Sequence, residues 1–140
     1  MRNVNIDIAP DYRLKSIYTG DRKIVEKVLE KCSDYYILTG GGLKAEKEAK
    51  EKNIEYKLFK MPTKAVPKAQ LLQKTDGLMK VLVDKETDKI LGAMLFSSEA
   101  YEVINIIKLA MDLNADYTIL RDMIYTHPTM SEALNELLND

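Results

Sequence analysis

The only histidine of the chain lies in the segment His127-Pro128-Thr129, five residues before Glu132. Proline fixes its own φ and disfavours helical geometry at the residue before it, so His127 is predicted to lie on an extended segment. Imidazole exchanges protons near neutral pH, and a neighbouring carboxylate can determine which ring nitrogen carries the proton. His127 and Glu132 are therefore the candidate acid/base pair.

The same residues have the spacing of a helix capping box. Thr129 is followed three residues later by Glu132, so the final helix is predicted to begin at Thr129. In a capping box the glutamate side chain accepts a backbone N–H bond at the start of the helix, not a bond from another side chain. The pattern leaves both roles of Glu132 open, and one glutamate can serve both.

Composition limits the class of protein. A chain of 140 residues with 46% hydrophobic and 31% charged residues is typical of a single globular domain with a real core. Its 21 basic and 22 acidic residues nearly cancel, which gives no reason to expect nucleic acid or an anionic membrane as a partner. Arg2 and Asp7 interrupt the first apolar residues, so neither a signal peptide nor a membrane span is predicted, and a cytoplasmic location is expected.

Cysteine and methionine give little sign of redox or metal chemistry. Cys32 is the only cysteine, so it cannot form an intrachain disulfide, and its place on the apolar stripe of a predicted helix favours a small buried hydrophobe. A structural metal site would need mostly carboxylate ligands, and none is predicted. Five methionines lie among apolar neighbours and are interpreted as core residues: Met79, Met94, Met111, Met123 and Met130.

Hydrophobic patterning predicts five strands. Alternation predicts strands over residues 4–8 and 54–60, and a short run rich in β-formers predicts one over 35–38. The clearest signal is a hairpin, in which apolar runs over 78–83 and 90–96 are joined by a polar turn. The segment 61–70 contains two prolines and is predicted to be extended along a sheet edge.

Helical spacing appears in five places. One helix is predicted over about 21–32, and another over 43–52, directly after Gly40 and Gly41. A phosphate-binding loop is considered at these glycines, but neither standard phosphate motif is present, so a flexible turn before a solvated helix is favoured. A long helix capped by Ser97 or Ser98 covers the sheet, with its apolar face extending to Leu109 and Met111, and a short helix from about Thr118 leads to His127. The predicted fold is α+β, a two-layer sandwich of a mainly antiparallel sheet with helices packed on one side.

Several stretches together resemble one protein family. They are GLMKVLVD at 77–84, ILGA at 90–93, EVIN at 102–105, LRD at 120–122 and THPTMSEALN at 126–135. This series looks like the C-terminal dimerisation domain of the pyridine nucleotide-disulfide oxidoreductases, flavoenzymes such as glutathione reductase, lipoamide dehydrogenase and mercuric reductase. AVPKA at 65–69 and Asn135 are most similar to the branch of reactive-chlorine resistance proteins and hypothiocyanous acid reductases. The resemblance assigns residues 38–140 to this domain and 1–37 to a linker and divergent segment.

The resemblance implies a homodimer in which each histidine serves the partner subunit. His127 would carry protons for the partner's redox dithiol during thiol-disulfide exchange, and Glu132 would orient its ring. The complete enzyme would bind FAD and NAD(P)H in separate domains and would act in cell redox homeostasis. This chain has neither a CxxxxC redox pair nor the GxGxxG fingerprint of a dinucleotide domain, so it is not expected to bind a cofactor or to be active alone.

Two hypotheses of different classes follow. In the first, the chain works with missing FAD- and NAD(P)-binding domains and supplies the dimer interface and a catalytic base. In the second, it is a free-standing interaction module that kept the fold and lost the chemistry. Under that hypothesis His127 is a spectator and the apolar residues Ile124, Met130, Leu134 and Leu138 matter only as dimer or core contacts.

Overall fold

A computed structural model of the chain describes residues 35–38 and 42–139. Its described strands form one four-stranded, fully antiparallel sheet with the order β1-β4-β3-β2. The strands are β1 (Tyr35–Leu38), β2 (Tyr56–Pro62), β3 (Leu78–Asp84) and β4 (Ile90–Ser98). The described helices are α1 (Gly42–Glu51), α2 (Pro67–Leu71), α3 (Ala100–Asp112), α4 (Tyr117–Asp122) and α5 (Ala133–Leu137), with a 3-10 turn at Thr63–Ala65.

The predicted hairpin is confirmed as β3 and β4, which lie at the centre of the sheet. Its turn is held by the Asp84 carboxylate, which accepts the backbone N–H groups of Glu86 (2.8 Å) and Thr87 (3.0 Å). These bonds, that of Thr87 above all, favour the ionised form and lower the pKa of Asp84 below its usual value. The predicted short strand at 35–38 is also confirmed as β1, paired with β4.

The main core lies between one face of the sheet and helices α3, α4 and α5. The sheet contributes buried side chains from its three longer strands, namely Phe59, Met61, Met79, Val81, Val83, Ala93 and Leu95. The helices contribute Val103, Ile107, Ala110, Leu120, Ala133, Leu134 and Leu137. Along the second half of β2, buried Phe59 and Met61 alternate with exposed Lys60 and Pro62, so the core-facing residues of this strand are Phe59 and Met61. The predicted α+β fold with an antiparallel sheet is confirmed.

Helix α1 departs from the one-sided arrangement. Lys80 lies between the core residues Met79 and Val81 on β3, so its side chain points to the opposite face of the sheet. Its Nζ is 3.2 Å from Glu46 Oε1 on α1, and both side chains are mostly buried, with exposures of 13% and 17%. Ala49 of α1 is buried as well. This helix therefore covers the second face.

The prediction of an extended edge segment over 61–70 is correct for Met61 and Pro62, which end the edge strand β2, and wrong for the rest. Residues 63–65 form the 3-10 turn and Pro67 is the first residue of α2, a position where the missing proline N–H costs no helical hydrogen bond. Val66 and Ala69 are buried, so the segment packs on the core. The strand expected over 54–60 instead runs from Tyr56 to Pro62.

The prediction that Ser97 or Ser98 caps the long helix is also wrong. Both serines belong to β4 and are buried, and Glu99 stands before α3 in a left-handed conformation with φ +54°. The predicted apolar face is correct for its inner residues, whereas Leu109 and Met111 point outward with exposures of 60% and 39%. Met79, Met94 and Met130 are buried as expected, but Met123 is 40% exposed.

Some predictions fall outside the described residues: the strand over 4–8, the helix carrying Cys32, and the turn at Gly40 and Gly41. The domain boundary at residues 37 and 38 stays a prediction. None of the helices in the described ranges has the length and apolar character needed to cross a bilayer.

Candidate acid/base site

His127 lies in the connection between α4 and α5, where residues 123–126 form neither helix nor strand. Its peptide bond to Pro128 is cis. The His127 side chain is 72% exposed, whereas that of Glu132 is only 14% exposed. The ring therefore faces solvent while its carboxylate neighbour is fixed against the protein.

The structure brings the two predicted residues into direct contact. His127 Nδ1 is 2.8 Å from Glu132 Oε2. An ionised carboxylate only accepts hydrogen bonds, so the proton of the neutral ring resides on Nδ1. Nε2, which bonds to no residue in the described part of the chain, then presents a lone pair to solvent. This is the arrangement required of a general base.

The capping box forms only in part. The last helix begins at Ala133, not at Thr129, and Glu132 precedes it as the cap residue. Thr129 Oγ1 accepts the Glu132 N–H at 3.3 Å and donates to the carbonyl of Thr126 at 2.7 Å, so it closes a turn around His127. The Glu132 side chain bonds the imidazole instead of returning to the backbone of Thr129. Of the two roles left open, the contact with the ring is the one observed.

Two residues that support the site were not predicted from the sequence as such. Asn135 Nδ2 on α5 donates to the carbonyls of Arg121 (2.6 Å) and Met123 (2.9 Å). Tyr125 donates its hydroxyl to the carbonyl of Leu120 at 2.8 Å. A weak helix former one turn after Glu132 was the available signal for Asn135, because such residues favour bonds to backbone groups.

An open groove of about 400 Å³ lies beside the pair. Its walls come from the 3-10 turn, α2 and α5, and include Met61, Val66, Pro67, Tyr125, Glu132, Asn135 and Glu136. Glu132 therefore lies between the imidazole on one side and this groove on the other.

Exposed apolar side chains flank the segment that carries His127. Ile124 is 97% exposed, and Met123 and Ile119 are 40% and 57% exposed. The other apolar residues considered as dimer or core contacts, Met130, Leu134 and Leu138, are at most 1% exposed and belong to the core. Large apolar groups collected at a surface are typical of a contact with another protein.

Arg121 and Asp122 form a bidentate ion pair at the end of α4. Arg121 Nε and one terminal nitrogen donate to the two carboxylate oxygens of Asp122 at 2.7 and 2.9 Å. These hydrogen bonds raise the pKa of Arg121 above its usual value and lower the pKa of Asp122, so both groups stay charged. The guanidinium also lies 5.6 Å from the centroid of the Tyr117 ring.

Tyr125 gives a testable dependence of stability on alkaline pH. Burial raises the pKa of Tyr125 to about 12 from its usual value of 10.0, because the phenolate is poorly solvated there. The folded chain thus holds this proton more tightly than the unfolded chain, and the resulting stability is complete below pH 10 and is lost between pH 10 and about 12.

We expect the free energy of unfolding to fall by about 1–2 kcal/mol over this interval through Tyr125, since partial solvation reduces the full effect. Urea titrations of the parent chain and Tyr125→Phe at several pH values measure the difference. Equal pH slopes in the two proteins would contradict it.

The sequence profile of one family, described as "Pyridine nucleotide-disulphide oxidoreductase, dimerisation domain", matches residues 42–138. The chain belongs to this family. The match begins at α1 and ends just after α5, so it includes the whole described sheet except β1, as well as His127 and Glu132.

Named relatives agree with this membership. The chain is 42% identical over 94 residues to the probable pyridine nucleotide-disulfide oxidoreductase RclA of Escherichia coli, covering 67% of this chain and 21% of RclA. It is 39% identical over 93 residues to human mitochondrial dihydrolipoyl dehydrogenase, covering 66% of this chain and 18% of that enzyme. The solved structure of RclA, described as a HOCl-induced flavoprotein disulfide reductase, matches with a TM-score of 0.64 over 66% of this chain and 21% of RclA.

The chain spans only about a fifth of the length of these relatives. The names given to RclA include a pyridine nucleotide and a flavoprotein.

Proposed function

We propose that this chain is the dimerisation domain of an FAD- and NAD(P)H-dependent disulfide oxidoreductase. In this proposal it forms the homodimer interface and supplies the His127–Glu132 pair to the redox dithiol of the partner subunit. The observation that carries the proposal is the 2.8 Å bond from His127 Nδ1 to Glu132, which leaves the other nitrogen of an exposed ring open to a reacting group. We place the enzyme in the cytoplasm.

In the proposed reaction the imidazole of His127 first accepts a proton from a thiol and later donates it to a thiolate. Nε2 accepts the proton of a thiol in the partner's dithiol, and the resulting thiolate attacks the substrate disulfide. The substrate sulfur that leaves as a thiolate then takes the proton back from the imidazolium. The base is regenerated, so His127 is catalytic without being consumed.

Glu132 keeps the ring ready for this transfer. Its carboxylate holds the proton on Nδ1 and so keeps Nε2 unprotonated in the neutral ring. It also lies next to the positive charge of the imidazolium that forms during the reaction, which stabilises that state. Its low exposure of 14% limits competition from water for the same bond.

The homodimer part of the proposal draws on the exposed apolar surface before His127. If the ring reaches a partner's dithiol, Ile124, three residues earlier in the chain, is expected to lie close to that partner as well. A side chain that is 97% exposed in the single chain would then be covered in the dimer. FAD and NAD(P)H would be held by the other domains of the complete enzyme, whose chemistry reduces the dithiol.

A chimera tests the proposed function. Residues 42–138 replace the corresponding domain of Escherichia coli RclA, and the flavin and nicotinamide domains are kept. We expect a dimer in sedimentation and reduction of a disulfide with NAD(P)H, whereas RclA truncated before this domain is the inactive control. A dimeric chimera with normal flavin content and no turnover would favour the non-catalytic interaction module.

A further inference from the structure

We propose that Asn135 is a positioning residue that sets the distance between His127 and Glu132. The inference rests on the proposed function, because it assigns a role at the same acid/base pair. Asn135 touches neither the ring nor the expected dithiol, so its effect must pass through the backbone that carries His127.

Asn135 satisfies two carbonyl groups at the end of α4. The last carbonyls of a helix have no partner within the helix and need one elsewhere. Here the amide nitrogen of Asn135 donates to Arg121 O at 2.6 Å and to Met123 O at 2.9 Å. Met123 is already extended, with φ −65° and ψ 142°, so the two bonds fix the chain at the point where it leaves the helix.

The segment that follows has few other restraints. Residues 123–126 form no helix or strand, and the side chain of Ile124 is almost fully exposed. The Tyr125 hydroxyl donates to Leu120 O, and the Thr129 hydroxyl donates to Thr126 O. Two of the four side-chain bonds on the approach to His127 therefore come from the single amide group of Asn135.

The backbone of Asn135 is held by residues of the core. Asn135 lies on α5 between Leu134 and Leu137, which are 0% and 2% exposed. Glu132 is the cap residue that directly precedes the same helix. One short helix thus holds the carboxylate directly and holds the imidazole segment through Asn135, so a change at Asn135 alters the position of the ring relative to the carboxylate.

No other common side chain of this size meets the requirement. Two carbonyl acceptors at 2.6 and 2.9 Å need two donors on one atom, which the amide NH₂ provides. Serine offers one donor on a shorter arm and alanine offers none. A structural role alone would change stability, whereas a positioning role also changes the protonated nitrogen of His127.

The experiment determines which ring nitrogen of His127 carries the proton, and it uses the 140-residue chain. Nitrogen-15 shifts of the His127 ring, recorded at a pH where the ring is neutral, distinguish the Nδ1–H from the Nε2–H form. We expect Nδ1–H to dominate in the parent and its ratio to Nε2–H to fall at least about fivefold in Asn135→Ala, the change expected for losing one net hydrogen bond.

Asn105→Ala is the matched control. Asn105 also donates an amide N–H to a backbone carbonyl, that of Tyr101 at 3.0 Å, but it lies on α3. Asn105→Ala should leave the ratio of the Nδ1–H to the Nε2–H form of His127 unchanged. If Asn135→Ala does not fold, Asn135→Ser replaces it, because serine keeps a polar side chain but cannot bridge both carbonyls.

The outcomes separate the two proposals. If folded Asn135→Ala or Asn135→Ser keeps the parent ratio of Nδ1–H to Nε2–H in the His127 ring, the positioning role is overturned and the His127–Glu132 pair still stands. Equal shifts in the Asn135 and Asn105 variants also overturn it, since the effect is then not specific. A parent ring without dominant Nδ1–H overturns the pair itself and the proposed function with it.

Discussion

Replacing His127 with glutamine in the RclA chimera is expected to lower kcat for disulfide reduction by about 100-fold or more, the range typical of a lost general acid/base. Glutamine keeps a polar side chain of similar reach but cannot exchange a proton near neutral pH. Dimerisation and flavin content should stay at the chimera's level, because the ring is 72% exposed and packs little in the single chain. Steady-state turnover with NAD(P)H and a disulfide measures the effect.

Two glutamates of the same helical region form a matched pair for this prediction. Glu132→Gln removes the carboxylate that bonds His127 Nδ1 and should lower kcat by about tenfold, in the lower part of the range for a partner that orients a functional histidine. Glu136→Gln removes the same charge one turn later, at an exposed position, and should change kcat by less than about twofold. Parent-like turnover in His127→Gln would remove His127 from the mechanism.

The second large effect is expected at Gly77, between α2 and β3. Its φ is +135°, and an added Cβ would lie 1.9 Å from the carbonyl oxygen of Phe96 and 2.7 Å from Thr63 Oγ1. Neither neighbour is free to move, because Thr63 Oγ1 donates to Phe96 O and the Thr63 N–H donates to Gly77 O. We expect Gly77→Ala to lose about 2–5 kcal/mol of unfolding free energy through backbone strain and overpacking.

The packing of Gly77 against Thr63 affects the site because Thr63 begins the 3-10 turn. Ala65 at the end of that turn and Val66 directly after it line the groove beside Glu132. Asn114→Gly is the control. It also concerns a residue with positive φ, +51°, but there glycine relieves the strain, so the change should stay within about 1 kcal/mol. Urea denaturation of both variants provides the comparison, and a loss below about 1 kcal/mol in Gly77→Ala would show that the crowding is tolerated.

The contact between His127 and Glu132 could be anticipated because its determinants are local. A proline after the histidine and a glutamate five residues after it placed the two side chains near each other, although the helix start predicted at Thr129 was wrong and the pattern left the role of Glu132 open. The β3–β4 hairpin was readable for the same reason, since two apolar runs with a short polar turn have few alternatives.

The features that escaped prediction depend on contacts between distant residues. Asn135 bonds carbonyls 12 and 14 residues earlier, and nothing in its immediate neighbours indicates that partner. The segment 61–70 has the composition of an extended edge, but burial of Val66 and Ala69 on the core stabilises a helix begun by Pro67. Helix α1 covers the second face of the sheet, where Lys80 meets Glu46, a pairing between residues 34 positions apart.

His127 is proposed to serve the dithiol of the partner subunit and not that of its own subunit. Mixed dimers of the chimera test this most directly, with His127→Gln in one subunit and a redox cysteine replaced by serine in the other. We expect about half of the parent activity per dimer, because one of the two sites then combines an intact dithiol with an intact partner histidine. Mixed dimers as inactive as either parent variant would contradict it, since they would show that ring and dithiol must come from the same subunit.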